Sequence, residues 1–291
     1  MKRIISLFII ILLLCGCSAE RPARIAATTL PVYEFTSRLC AGTGISVTRL
    51  VTEEVSCLHD YSLNVRQVKA AEAAETIVIS GAGLEEFMED LLHDRNPIDA
   101  SSGIELLCPE ESHDHDHGHE EEGHHHESDP HIWLSPIHAG TMVSNITAGL
   151  IRLYPEHTDR FRANEETLLK ELDTLQRYGE ETLSSLSCRE MITFHDGFSY
   201  FADNFGLTIL EAVEEESGSE ASAKELIHLI EEVDHHALPA IFTEKSGSVS
   251  AAGIISRETG CGSFALDMAM AGDSYFEAMY HNIDTIKEAL G

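Results

Sequence analysis

Short β-branched runs alternate along this chain with stretches whose apolar residues recur at helical spacing. Residues 24–29, 45–51, 76–80 and 103–107 read as strands, each beside an amphipathic or Gly-bounded helical segment. After residue 188 the alternation returns. Strand-like runs at 190–194, 207–213, 239–243 and 263–267 are interleaved with helical stretches at 197–205, 221–233, 249–259 and 273–290. The pattern predicts two α/β units of the (β/α)4 type. Between them residues 155–186 contain no proline after Pro155 and place Phe161, Leu168, Leu172, Leu175, Leu183 and Leu186 close to one helical stripe. A continuous helix there would run about 48 Å, enough to join both units as a rigid strut. Two shorter helices broken near Gly179 are the alternative. The expected organisation is therefore a signal segment at 1–16, an N-terminal α/β domain at 17–154, a linking helix at 155–187 and a C-terminal α/β domain at 188–291.

The first residues break this alternation. Met1-Lys2-Arg3 is basic, the run 4–14 is apolar apart from Ser6, and Leu14-Cys15-Gly16-Cys17 follows. That run is about half the roughly twenty residues a membrane-spanning helix needs, so it reads as a cleaved export signal. Small Gly16 before Cys17 resembles the bacterial lipoprotein signal, which makes Cys17 the expected acylated N-terminus, with Cys15 the poorer candidate because bulky Leu14 precedes it. An ordinary secreted protein with an incidental Cys17 is the alternative. The expected location is thus outside the cytoplasm, either anchored by lipid to the outer face of the cell membrane or free in the periplasm. Five cysteines remain (Cys40, Cys57, Cys108, Cys188 and Cys261), an odd number whose spacing names no disulfide framework.

Composition narrows the class further. The 19 Lys and Arg against 50 Asp and Glu give a formal net charge of −31, which repels nucleic acid and favours nearby cations. The tract 113–126, HDHDHGHEEEGHHH, holds His113, His115, His117, His119, His124, His125 and His126, five carboxylates and nothing apolar. It cannot bury a core and is expected to be a loop that holds several cations loosely. The alternative is an acidic solvated stretch that binds metal incidentally.

In α/β units, ligands collect beyond the carboxyl ends of strands. Polar residues at such points are His59, after the strand 45–51 and a short loop; His195, after 191–194; Glu244, after 241–243; and Asp267, closing 264–266. His131 stands in Asp129-Pro130-His131-Ile132-Trp133, where Pro130 holds the chain extended. Each alone reads as readily as a helix cap or surface group. Together, imidazoles and a carboxylate at matching points of two units suit a four-coordinate Zn²⁺ site. His93, His138, His157, His228, His235, His236 and His281 fall on predicted helices or their ends and read as surface or capping groups; His235-His236 beside Asp234 is the one notable pair.

The segments Leu58-His59-Asp60-Tyr61-Ser62-Leu63, Asp129-Pro130-His131-Ile132-Trp133-Leu134-Ser135-Pro136, Phe194-His195-Asp196-Gly197-Phe198-Ser199-Tyr200-Phe201, Phe205-Gly206-Leu207 and Leu266-Asp267 resemble, in order, the signature stretches of the metal-binding solute-binding lipoproteins of bacterial ABC transporters. The zinc branch of that family is the nearer match. The resemblance implies two α/β domains joined by a long rigid helix, with one ion in the interdomain cleft held by His59, His131, His195 and, at the C-terminal carboxylate position, Asp267. It also implies delivery of Zn²⁺, as transported ligand, to a membrane permease with a cytoplasmic ATPase, and the expected state is a monomer. Manganese relatives carry a carboxylate where His195 stands, and three imidazoles favour zinc. Two departures leave the fourth ligand open between Asp267, Glu244, Cys57 and water: the loop before His59 lacks the relatives' Pro- and Gly-rich run, and Met268-Ala269-Met270 follows Asp267. A zinc hydrolase would need a base, for which Glu244 is the one obvious candidate, and no HExxH helix is present. A surface adhesin of the same fold is the other alternative.

Overall fold

The computed structural model describes residues 24–53, 58, 61–107, 128–213, 222–245 and 249–291. Cys17, Cys57, His59, Cys108 and the histidines from His113 to His126 lie outside the described residues.

Two parallel four-stranded sheets organise the molecule, and both have the same strand order. The first contains β1 (Arg24–Ala27), β2 (Ser46–Arg49), β3 (Thr76–Ile79) and β4 (Ile98–Asp99), ordered β2-β1-β3-β4. The second contains β5 (Glu190–Thr193), β6 (Thr208–Ala212), β7 (Ala240–Glu244) and β8 (Gly262–Leu266), ordered β6-β5-β7-β8. Every pairing is parallel. Parallel strands need crossovers, and these are supplied by α1 (Leu30–Leu39), α2 (Val65–Ala73) and the short α3 (Glu89–Leu92) in the first half, and by α6 (Ser199–Phe205), α7 (Ala223–His236) and α8 (Ser250–Thr259) in the second. Local chemistry sets the helix ends. Asn64 with Gln67 and Ser222 with Glu225 form capping boxes at α2 and α7, and left-handed Gly206 ends α6.

Between the halves run α4 (Pro136–Leu153) and α5 (Thr158–Leu183), and α9 (Tyr275–Leu290) closes the chain. Ser135 caps α4 by accepting the His138 N–H, and Pro136 supplies its first turn. The helix α5 buries Phe161, Leu168, Leu172, Leu175 and Leu183 on one stripe, and its 26 residues span about 39 Å. It is continuous through Gly179. A Cβ there would lie 2.3 Å from the Phe205 ring, so this glycine admits the close approach of α6 and does not break the helix. The helix packs on α1 and α4 of the first half and on α6 and α9 of the second.

The fourth strand lies earlier than the sequence pattern predicts. Residues 103–107 are not a strand; β4 is Ile98–Asp99. The Asp99 Oδ1 accepts the Ser101 N–H (2.8 Å) and its hydroxyl (2.7 Å), which turns the chain away after two residues. Ile104, Leu106 and Leu107 then pack against the core without joining the sheet, which is why they are apolar.

One large core runs through both halves, from Phe35 and Trp133 to Phe201 and Tyr275. Polar ties cross with it: Tyr275 N–H donates to Glu34 (2.6 Å), Arg49 donates to the Gly272 carbonyl (2.8 Å), and the Phe35 and Tyr275 rings meet edge to face at 5.0 Å. The seam is packed like an interior, so side chains meeting across it are held by a rigid frame.

Candidate metal centre

Pro130 and a single 3₁₀ turn, Ile132–Leu134, hold His131 in position. The Asp129 carboxylate accepts both the His131 backbone N–H (2.9 Å) and, through the same oxygen, the ring Nδ1 (2.8 Å). An ionised carboxylate only accepts, so Nδ1 carries the proton and Nε2 presents its lone pair. His131 is buried, and the fully buried Trp133 next to it donates from Nε1 to the Met268 carbonyl of the other half (2.8 Å). Tyr275 donates its hydroxyl to the Trp133 carbonyl (2.8 Å), which closes this clamp.

His195 arrives from the second half, two residues beyond β5. The Thr193 hydroxyl donates to its carbonyl (3.0 Å). Gly197 leaves room for its ring, since a Cβ there would stand 2.6 Å from His195 Cδ2 and equally close to Met268 Cε. The ring meets that of His131 edge to face, with centroids 5.2 Å apart and the two Nε2 atoms 3.4 Å apart. That separation is long for an N–H···N hydrogen bond. It matches the edge of a tetrahedron whose metal–nitrogen bonds are about 2.0–2.1 Å, an edge of about 3.3–3.4 Å.

Glu244, at the end of β7, stands 3.4 Å from His195 Nδ1, the ring nitrogen opposite the one that faces His131. Each imidazole therefore has a carboxylate at Nδ1 and the other imidazole at Nε2. Carboxylates so placed fix the tautomer and raise the basicity of a ligating nitrogen. Glu244 is in position to orient His195 and stands on the wrong side of the ring to share an ion with its Nε2.

Asp267 sits on the same rim, fixed by its own backbone. Its N–H donates to Asn282 Oδ1 and its carbonyl accepts from Asn282 Nδ2, both at 2.7 Å. Its carboxylate accepts the Ala269 N–H (2.8 Å) and faces Lys245 Nζ (3.3 Å). Among the described residues, no third His, Cys, Asp or Glu brings a ligand atom within 4.8 Å of both facing nitrogens, Asp267 included. His59 lies outside the described residues; next to it Leu58 is buried, and Tyr61 donates its hydroxyl to Glu53 (2.9 Å) and accepts from Gln67 (2.6 Å).

Two residues that the sequence pattern passes over complete the surroundings. Tyr200 accepts the Leu107 N–H and donates to the Asp129 carbonyl, each at 2.9 Å, while the Asp129 N–H donates to the Leu107 carbonyl (3.0 Å). The two ends of the His-rich insert are thus joined beside His131. Asp129 as the partner of His131 had a signal in its spacing, since residue i−2 reaches back readily across Pro130. Tyr200 had none.

The family of the zinc-uptake complex component A, periplasmic (ZnuA), matches residues 25–289. The chain belongs to this family. Within the ZnuA family, it is 31% identical over 95% of its length to the zinc-binding lipoprotein AdcA of Streptococcus pneumoniae, strain R6, and spans 58% of that relative. It is similar to the solved Zn(II)-bound ZnuA-like domain of Streptococcus pneumoniae AdcA (26% identity, TM-score 0.77, covering 93% of this chain and 99% of that one). It is equally similar to a ZnuA deletion mutant solved with zinc bound (28% identity, TM-score 0.76, covering 93% and 99%). The two α/β units and the long helix expected from the resemblance are those of the ZnuA fold. No helix among the described residues is long and apolar enough to cross a membrane.

Proposed function

We propose that this chain captures Zn²⁺ outside the cytoplasm and passes it to an ABC-type permease with its cytoplasmic ATPase. Zinc is the cargo here, coordinated and released without chemical conversion of a substrate. The observation that carries the reading is the pair of Nε2 atoms at 3.4 Å, one from each half of the molecule. His131 and His195 supply two ligands, and His59 is the third. Asp267 is the fourth once it gives up Lys245, or water takes that position. Three nitrogen donors favour zinc over manganese. Membership of a family named for zinc uptake, and the zinc-binding names of the relatives, support the same cargo.

In this reading residues 17–154 and 188–291 are the two lobes, 155–187 is the strut, Cys17 carries the lipid anchor and the chain acts as a monomer. The histidines from His113 to His126 are weak, exchangeable sites. They lack a rigid frame, so binding there must order the chain as well. Glu244, the carboxylate best placed to serve as a hydrolase base, is instead opposed to His195 Nδ1, which supports binding over catalysis.

Calorimetric titration with Zn²⁺ and Mn²⁺ tests this reading. Deleting residues 113–126 is expected to remove several weak ions and leave one tight Zn²⁺. His195→Ala is expected to do the reverse, weakening the tight ion by about a thousandfold, roughly 4 kcal/mol. If loop deletion abolishes tight binding and His195→Ala spares it, the histidine tract is the receptor and the proposal is wrong.

A further inference from the structure

Among the described residues, one set of three metal-ligating side chains has all its donor atoms within 4.8 Å of one another: Glu232, His235 and His236, at the C-terminal end of α7. We propose that these three side chains form a second divalent-cation site, at the opposite end of the second sheet from His195.

The local geometry repeats that of the cleft. His236 and Glu232 are one helical turn apart and share a face. The Glu232 Oε2 lies 3.6 Å from His236 Nε2, close to the tetrahedral edge of about 3.3–3.4 Å for zinc with nitrogen and oxygen ligands. The other ring nitrogen, Nδ1, lies 3.0 Å from Oε2 of Glu190, the first residue of β5. Glu190 therefore holds the Nδ1 proton and leaves Nε2 free to ligate, as Asp129 does for His131. His235 completes the set. Successive helical residues ordinarily diverge by about 100°, yet the His235 and His236 rings meet edge to face with centroids 4.9 Å apart. Left-handed Ala237 ends the helix directly afterwards, so both histidines belong to its last turn, at the negative end of the helix dipole, which favours a cation.

Position separates this site from the cleft. Helix α7 ends, and β5 begins, at the amino end of the second sheet, whereas His195 follows the carboxyl end of β5. The four residues of β5, about 13 Å of strand, stand between them. An ion here would be held by side chains of α7 alone, with Glu190 of β5 supporting His236 from behind. With one carboxylate and two imidazoles the site suits borderline divalent ions, Zn²⁺ with Cu²⁺ and Ni²⁺ as competitors, and not Mg²⁺ or Ca²⁺. The groups are partly solvent-exposed, so the ion exchanges with solvent and binds more weakly than one gripped between the two halves.

The competing role for the same atoms is a protonated His236 held between two carboxylates with no metal. Crystals of the full chain grown with Zn²⁺ in molar excess over its 17 histidines, measured at the zinc absorption edge, separate the two. An anomalous peak between Glu232, His235 and His236 is expected in the unaltered chain. It should be lost in His236→Gln, which keeps a hydrogen-bonding side chain toward Glu190. No peak at this position, or a peak that survives His236→Gln, overturns the proposal. A filled α7 site beside an empty cleft would refute the reading of the cleft and leave this one standing.

Discussion

The two sheets repeat one strand order, yet their carboxyl ends are put to opposite uses. In the first half the residues just beyond β1 and β3 turn inward on Glu85. Its carboxylate accepts from the Thr28 hydroxyl (2.6 Å), the Ser80 N–H (2.7 Å) and the Gly81 N–H (2.9 Å), while the Thr29 and Ser80 hydroxyls pair at 2.9 Å. All these side chains are buried. At the equivalent strands of the second half, β5 and β7, stand His195 and Glu244, with a ring nitrogen of His195 directed across the seam. The shared topology provides the same crevice twice. A buried carboxylate satisfied by local donors turns one crevice into structure, while in the proposed function imidazoles supported from behind make the other the receptor.

The largest break in this comparison comes from Glu85→Ala. It leaves three buried donors without a partner, and the expected loss of stability is roughly 3 kcal/mol. Zinc affinity of the folded fraction should stay within twofold, which denaturant unfolding and calorimetry together would check. Asp129→Asn should act the other way. An amide can donate to His131 Nδ1 and so favour the tautomer with its proton on Nε2. Zinc is expected to bind about 10–100-fold more weakly, with little change in the unfolding midpoint.

Acid separates the halves by sign. Burial raises the Glu85 carboxyl from its ordinary 4.5 to about 7, although the Thr28, Ser80 and Gly81 hydrogen bonds pull it down. A raised acid binds more protons folded than unfolded. Its stabilising contribution is therefore full below pH 4.5 and fades as the pH rises through about 7. Zinc must displace protons from imidazoles with an ordinary pKa of about 6.5, so its affinity should fall below about pH 6. Between about pH 7 and 5 the Glu85 contribution to metal-free stability should rise while zinc affinity falls. Glu85→Gln should flatten the first trend and leave the second; parallel titrations of both proteins would show it.

Much of this arrangement was legible in the sequence because it depends on local periodicity. The alternation of strands and helices, the unbroken stripe of α5 and the positions of His131 and His195 at strand and loop ends all follow from spacing. The fourth strand did not, because Ile104, Leu106 and Leu107 pack against the core without joining the sheet, and the true β4 is only two residues long. Helix α4 carries start signals in the sequence, Ser135 as its cap and Pro136 in its first turn. Glu85 could not be singled out. It lies 57 residues from Thr28, and nothing in a single sequence marks which acidic residue among 50 Asp and Glu turns inward. Asp267 was legible as a strand-end carboxylate, but its engagement with Lys245 and the Ala269 N–H depends on tertiary geometry.

The junction formed by Leu107, Asp129 and Tyr200 makes the His-rich insert interchangeable. Its two ends are fastened to each other and to α6 before the intervening residues contribute anything, so the frame carries no information about how long or how charged the insert is. Closing a longer loop on this base costs only about 0.6 kcal/mol for each doubling of its length. Removal of residues 113–126 should accordingly shift the unfolding free energy by less than about 1 kcal/mol, measurable by denaturant titration without metal. The tract can then change in length and composition while His131 and His195 keep their spacing.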